Sequence, residues 1–160
     1  MKKFLCVLLF VSSFCFSQVT NEEFELIKSY KQNLLDKDLN QTIKSLQDLI
    51  EFHKGETQYH ISLGYIYQLQ RNKKLAKFHL DKGRSYVLEQ LITKKLSPKQ
   101  TMDHVVALCF AGFKKECEEM FTLSEARFIG DDYYGEYEFE TVEKLAEKQR
   151  ENIKTYFDTK

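Results

Sequence analysis

The stretch Thr57-Gln58-Tyr59-His60-Ile61-Ser62-Leu63-Gly64-Tyr65-Ile66-Tyr67-Gln68-Leu69-Gln70 decides the fold. Wound as a helix, it carries Ile61, Leu63, Gly64, Tyr65, Ile66, Tyr67 and Leu69 on almost every side. A helix that is apolar all round is buried all round, so this segment predicts the centre of an all-α domain. Arg71-Asn72-Lys73 interrupts the pattern. A second helical period then runs to about Lys95, with Ala76, Leu80, Gly83, Val87 and Leu91 on one face. Together the two segments read as a helical hairpin.

Upstream, Thr20-Asn21-Glu22-Glu23 has the form of a capping box, with Thr20 as N-cap and Glu23 reaching back. The helix that follows carries Phe24, Ile27, Tyr30, Leu34 and Leu35. Asp36-Lys37-Asp38 breaks it, and Asn40 can cap a second helix with Ile43, Leu46, Leu49, Ile50 and His53 inward. Gly55 supplies its stop. Downstream, Ser97-Pro98-Lys99-Gln100 joins an N-cap, a first-turn proline and a capping-box glutamine. Met102, Val105, Val106, Leu108, Cys109 and Phe110 follow, Gly112 marks a turn, and Cys117, Met120 and Phe121 begin a shorter partner helix. Arg127 to Phe139 is acidic and aromatic without helical period and predicts an ordered loop. A last helix over 140–157, with Val142, Leu145, Ala146, Ile153 and Tyr156 inward, suits a covering role.

Leu63-Gly64, Tyr67, Ala76 and Leu80, in that order and spacing, resemble one tetratricopeptide repeat. Gly64 lets the second helix come close, Ala76 is the small residue across that contact, and Leu63, Tyr67 and Leu80 fill the space around it. The sequence departs from the family at His60, where the pattern has Trp, at Gly83 for its second small residue, and at Leu88 for its closing Pro. The flanking hairpins are degenerate, with Ser29-Tyr30 and His104-Val105 at the Leu-Gly positions. Leu46 and Leu80 stand 34 residues apart, the family period, whereas Leu80 and Phe121 stand 41 apart. The extra seven residues are about two helical turns and fit a lengthened second helix. The resemblance implies about three stacked antiparallel hairpins. It also implies that first-helix residues Gln58, Ile61, Tyr65 and Gln68 line a concave face that takes a protein or peptide partner, unless the C-terminal segment covers that face. Such a module needs no cofactor.

The chain opens with Lys2-Lys3 and an apolar run from Phe4 to Phe16. These predict a signal peptide over residues 1–17, cut after Ser17, and export to a periplasm or the exterior. The run is shorter than the roughly 20 apolar residues that a spanning helix needs. An uncleaved anchor and a lipid-modified Cys15 are the alternatives, though Phe14 is bulky for the lipoprotein pattern. Residues 18–160 then form a single domain that carries 22 basic and 24 acidic residues, a net charge of −2. No basic excess points to nucleic acid, and nothing in the mature chain predicts membrane insertion.

Only Cys109 and Cys117 remain after such a cut, either side of the turn at Gly112. They are either a structural disulfide or two buried thiols; the spacing is not that of a redox motif. His53, His60, His79 and His104 form no close sequence pair, so they predict packed histidines rather than a metal site. No nucleophile elbow, zinc-protease helix, phosphate loop or dinucleotide fingerprint occurs, and no catalytic residue is assigned. Asp131-Asp132 could hold Ca²⁺, but the EF-hand spacing is missing. The expected function is a non-catalytic, exported protein-interaction module. The alternatives are a small ligand-binding protein or hydrolase that uses the loop 127–139, and a structural envelope component.

Overall fold

Seven α-helices, with no strand among the described residues, follow one another along the chain. A computed structural model describes residues 20–55, 58–131 and 138–158. The expected signal segment and residues 132–137 of the acidic aromatic stretch lie outside the described residues, as does the side chain of Tyr156. The helices are α1 (Asn21–Leu35), α2 (Leu39–Phe52), α3 (Tyr59–Leu69), α4 (Lys73–Thr93), α5 (Pro98–Phe110), α6 (Lys114–Arg127) and α7 (Phe139–Asp158). Among the described residues, no helix is long and apolar enough to cross a membrane.

The turns that join α1 to α2, α3 to α4 and α5 to α6 share one geometry. Each has a residue in the left-handed region: Lys37 at φ 57°, Arg71 at φ 60° and Gly112 at φ 86°. The next backbone N–H then reaches back to close the finished helix, from Asp38 to Asn33 O at 3.1 Å, from Asn72 to Tyr67 O at 2.9 Å and from Phe113 to Leu108 O at 3.0 Å. This is the Schellman closure, which satisfies carbonyls that the helix end leaves open. The same next residue is the N-cap of the following helix. Asp38 accepts from Gln41 N–H at 3.0 Å and Asn72 from Leu75 N–H at 3.2 Å. The expected cap Asn40 therefore gives way to Asp38, because the turn closes two residues sooner. Phe113 has no side chain able to cap, and α6 starts without one. A like closure at Lys54, φ 54°, with Gly55 N–H on Ile50 O at 2.8 Å, ends α2, but there the next residue does not cap a helix.

Ser97 forms the predicted capping box. Gln100 N–H donates to Ser97 Oγ at 3.3 Å, and Ser97 N–H donates to Gln100 Oε1 at 2.9 Å. Only half of the box expected at Thr20 is made. Glu23 N–H donates to Thr20 Oγ1 at 3.1 Å, but the Glu23 carboxylate turns to His53 Nε2 at 3.0 Å and ties α1 to the end of α2.

The closest helix approach is that of α3 and α4, which run antiparallel. A Cβ added at Gly64 would lie 2.8 Å from Leu80 Cγ and 2.9 Å from Leu80 N; one at Gly83 would lie 2.5 Å from Ile61 Cγ1 and 2.9 Å from Ile61 N. Two missing side chains, one on each helix, thus set the distance between the backbones. The circumferential burial of α3 has a direct cause: it serves two cores. Tyr59, Leu63, Ile66 and Tyr67 pack with Tyr30, Leu34, Leu46, Leu49 and Ala76. Ile61 and Tyr65 pack on the opposite side with Val87, Leu91 and the apolar residues of α5 and α6.

Helix α5 is the second central helix, with every residue from Val105 to Phe110 buried. It lies against α4, α6 and α7. Its partner α6 has 14 residues to its own 13, so it is not the shorter helix expected. Helix α7 packs chiefly on α5. Val142 and Ala146 are wholly enclosed, but Leu145, expected inward, is exposed because the inward stripe continues through the half-buried Arg150 and Ile153 instead. Phe24 and Leu35, also expected inward, are exposed ends of α1.

Candidate interaction site

The covering helix meets the face expected to receive a partner. Tyr65 Oη donates to Arg150 O at 2.9 Å, and Arg150 Nη1 donates to Cys109 O at 2.7 Å and Phe110 O at 3.1 Å. A guanidinium on the last carbonyls of α5 also meets the negative end of that helix. Gln58, Ile61 and Tyr65 are buried, and the Gln58 Oε1 acceptor has no hydrogen-bond partner among the described residues. Ile61 lies against Gly83 of α4, and Tyr65 packs on Phe110 of α5 and bonds Arg150 of α7, so the face around them is internal rather than open as expected. Gln68, the fourth expected residue, is exposed.

Gln68 belongs to a different surface. Where the α3–α4 turn comes beside the α5–α6 turn, a cleft of about 370 Å³ opens. Ala76, Leu80, Ala111 and Phe113 form its apolar floor, and Gln68, Lys73, Lys77 and Asp81 stand around it. Lys77 Nζ and Asp81 Oδ2 pair across one turn at 2.6 Å with both side chains well exposed. Phe113 is fixed from behind by Arg84, whose guanidinium lies 5.2 Å from the ring centroid and 2.6 Å from Glu116 Oε1. The floor is pre-formed, and the charged groups are in water. Sequence reading used Arg71-Asn72-Lys73 only as a break and Gly112 only as a turn. Neither signal tells that the two turns share an end of the molecule.

The histidines divide into bonded groups. His60 Nδ1 lies 2.7 Å from His79 Nδ1, and His60 Nε2 lies 3.1 Å from Gly55 O. A carbonyl only accepts, so His60 carries its proton on Nε2, and its bare Nδ1 accepts from His79 Nδ1–H. Burial lowers the pKa of His60 against the raising effect of the Gly55 carbonyl. Burial and then the charge of His60 lower His79 to about 4. Burial lowers the pKa of His104 against the raising effect of the Gln100 carbonyl, to which Nδ1–H donates at 2.8 Å. The His79 ring also stacks on Tyr67 at 5.5 Å between centroids. These are packing roles, and the two-histidine contact was invisible in sequence because 19 residues separate its members. Among the described residues, no three His, Cys, Asp or Glu side chains gather into a metal site.

Cys109 and Cys117 are joined as a disulfide, with Cα atoms 5.3 Å apart, within the span a bridge requires. Both are buried, so the bond ties α5 to α6 directly beneath the carbonyls that hold Arg150. No protein-family model, curated protein or solved structure matches the chain.

Proposed function

We propose that the chain is a non-catalytic protein-interaction module of tetratricopeptide-repeat type, exported from the cytoplasm. One observation carries the repeat reading: the turns at Lys37, Arg71 and Gly112, in which the next residue is also the N-cap of the following helix (a feature the like closure at Lys54 lacks), stand 34 and 41 residues apart. The same two intervals separate Leu46, Leu80 and Phe121. In each hairpin the bulky residue stands nine positions after the left-handed turn residue, so side-chain pattern and backbone conformation keep one register and carry the same seven-residue excess. That excess belongs to α4, which has 21 residues where α2 and α6 each have 14. The close approach through Gly64, the glycine of the resembled pattern, further supports the repeat reading, although Leu80 rather than the expected Ala76 lies across from Gly64 and the second contact uses Gly83, where the sequence departs from the pattern.

Partner contact moves, on this reading, from Gln58, Ile61 and Tyr65 to the open side of α3, where Gln68 stands. Lys2-Lys3, the apolar run to Phe16 and the cystine support export. The test is a photo-cross-linking side chain placed at Gln68 and, as control, at exposed Lys28 on α1. Cross-linking to a discrete protein in the native host from position 68, and not from position 28, supports the reading. Absence of a position-specific adduct from any exposed face of the fold counts against it.

A further inference from the structure

We infer that the cleft between the α3–α4 turn and the α5–α6 turn binds an acidic peptide segment through one apolar side chain and its flanking carboxylates. The inference rests on the interaction-module reading and names the partner's chemistry.

Three features of the cleft lead there. First, its floor of Ala76, Leu80, Ala111 and Phe113 is apolar and its volume of about 370 Å³ suits a single large side chain rather than a helix. Second, the chain is electrically balanced as a whole, yet Lys73 and Lys77 line this cleft and Arg71 and Lys74 neighbour them in sequence, with Asp81 as the only acid between residues 70 and 81. Asp81 is already matched to Lys77. Lys73, on the cleft wall, and its sequence neighbours Arg71 and Lys74 have no ion pair among the described residues, which leaves the wall cation of Lys73 unanswered. Third, α4 begins at Lys73 and α6 at Lys114, so two positive helix ends converge on the same opening. The first turn of α6 has no side-chain cap to answer its N–H groups. Carboxylates beside an anchored apolar residue complement all of these at once, whereas a basic or neutral segment complements only the floor.

Three fluorescent peptides test the inference. One has a phenylalanine flanked on each side by three glutamates; the others have glutamine or lysine in place of glutamate. Binding to the purified protein is read by anisotropy and mapped by amide NMR shifts. The acidic peptide should bind saturably, weaken with added salt, and shift the amides of Gln68, Lys73, Ala111 and Lys114. The glutamine peptide should bind about tenfold more weakly or worse. Lys73→Glu with Lys74→Glu should lose at least about tenfold in affinity. Acids in a first helical turn favour the helix dipole, so that loss does not arise from unfolding. Ala111→Trp should block binding by filling the floor while every charge stays.

Equal binding of the glutamine peptide, indifference to the lysine substitutions, or no saturation up to about 1 mM overturns the inference. So does a single-stranded oligonucleotide or an anionic vesicle that binds as tightly to the Ala111→Trp variant as to wild type, since a charged rim alone would then suffice. Shifts that map to another surface overturn the cleft but leave the interaction reading intact. Failure of the cross-linking experiment at every exposed face overturns both.

Discussion

Replacing Gly64 with alanine asks directly whether α3 and α4 meet backbone to backbone. The new Cβ would lie 2.9 Å from Leu80 N, where ordinary contact begins at 3.4 Å, so the helices must part by about 0.5 Å. Rotation of a side chain cannot relieve a clash with a backbone nitrogen. Overpacking of this kind costs about 1–3 kcal/mol, and the better helix propensity of alanine returns about 1 kcal/mol. The upper half of the range applies because α3 also packs a second core on its other side, and any shift disturbs both. The expected net loss is therefore about 1–2 kcal/mol. Gly83→Ala meets Ile61 N at the same 2.9 Å and should cost a similar amount. One outward displacement of α4 relieves both contacts, so the double variant should fall short of the summed losses by about 0.5 kcal/mol or more. Urea unfolding with linear extrapolation and an unchanged m-value measures this. A neutral or stabilising Gly64→Ala, or strict additivity of the pair, would refute the close approach on which the repeat reading depends.

Four further outcomes follow from named contacts. Tyr65→Phe removes the hydroxyl bonded to Arg150 O and should cost about 1 kcal/mol, seen also as faster amide exchange in α7 than in α2. Reduction of Cys109–Cys117, which closes a span of eight residues, should lower stability by about 2–3 kcal/mol on loop entropy; a melt with and without reductant reads it. Arg71→Gly relieves a left-handed residue whose strain is about 1–2 kcal/mol but gives the unfolded chain more freedom. It should therefore raise the urea midpoint slightly while removing one rim charge. For pH, His60, His79 and His104 have folded pKa values below the unfolded value near 6.5, so the unfolded chain binds protons first. Stability should hold above about pH 6.5 and fall as pH drops toward 4, and the slope should flatten in His79→Gln; an unchanged melting profile across that window would contradict the buried neutral pair.

The helices were legible because their signals are local. Ser97-Pro98-Lys99-Gln100 announces α5 through the chemistry of its own first turn, and the capping box forms as read. The all-apolar face of α3 announced burial, and both cores confirm it. Errors arose where a distant group competed with a local one. Glu23 was expected to bond backward to its own helix start and instead meets His53, 30 residues away. Leu145 has the right spacing for an inward residue, yet Arg150 fixes the rotation of α7 through α5 carbonyls and leaves Leu145 outside. The central place of α5 was not legible either, because its burial is completed jointly by α4, α6 and α7, and no local pattern announces the docking position of α7.

The candidate site was hidden for a related reason. A concave face was sought on the first helix of the central hairpin, where apolar residues crowd. Crowding measures only the wish to be buried, and the neighbouring helices satisfy it, α4 for Ile61 and α5 with α7 for Tyr65. A surface left for a partner is better sought where burial is incomplete and charge is unanswered. Lys73 and Ala111 satisfy that condition only jointly: each is unremarkable in its own turn, and 38 residues separate them. The equal geometry of the turns at Arg71 and Gly112 brings helix α4's cations beside the uncapped start of α6. On the repeat reading proposed above, the junction of two like turns offers binding chemistry even when neither turn has a motif, and the interval between the turns, more than the composition of either segment, is where such a cleft can be read.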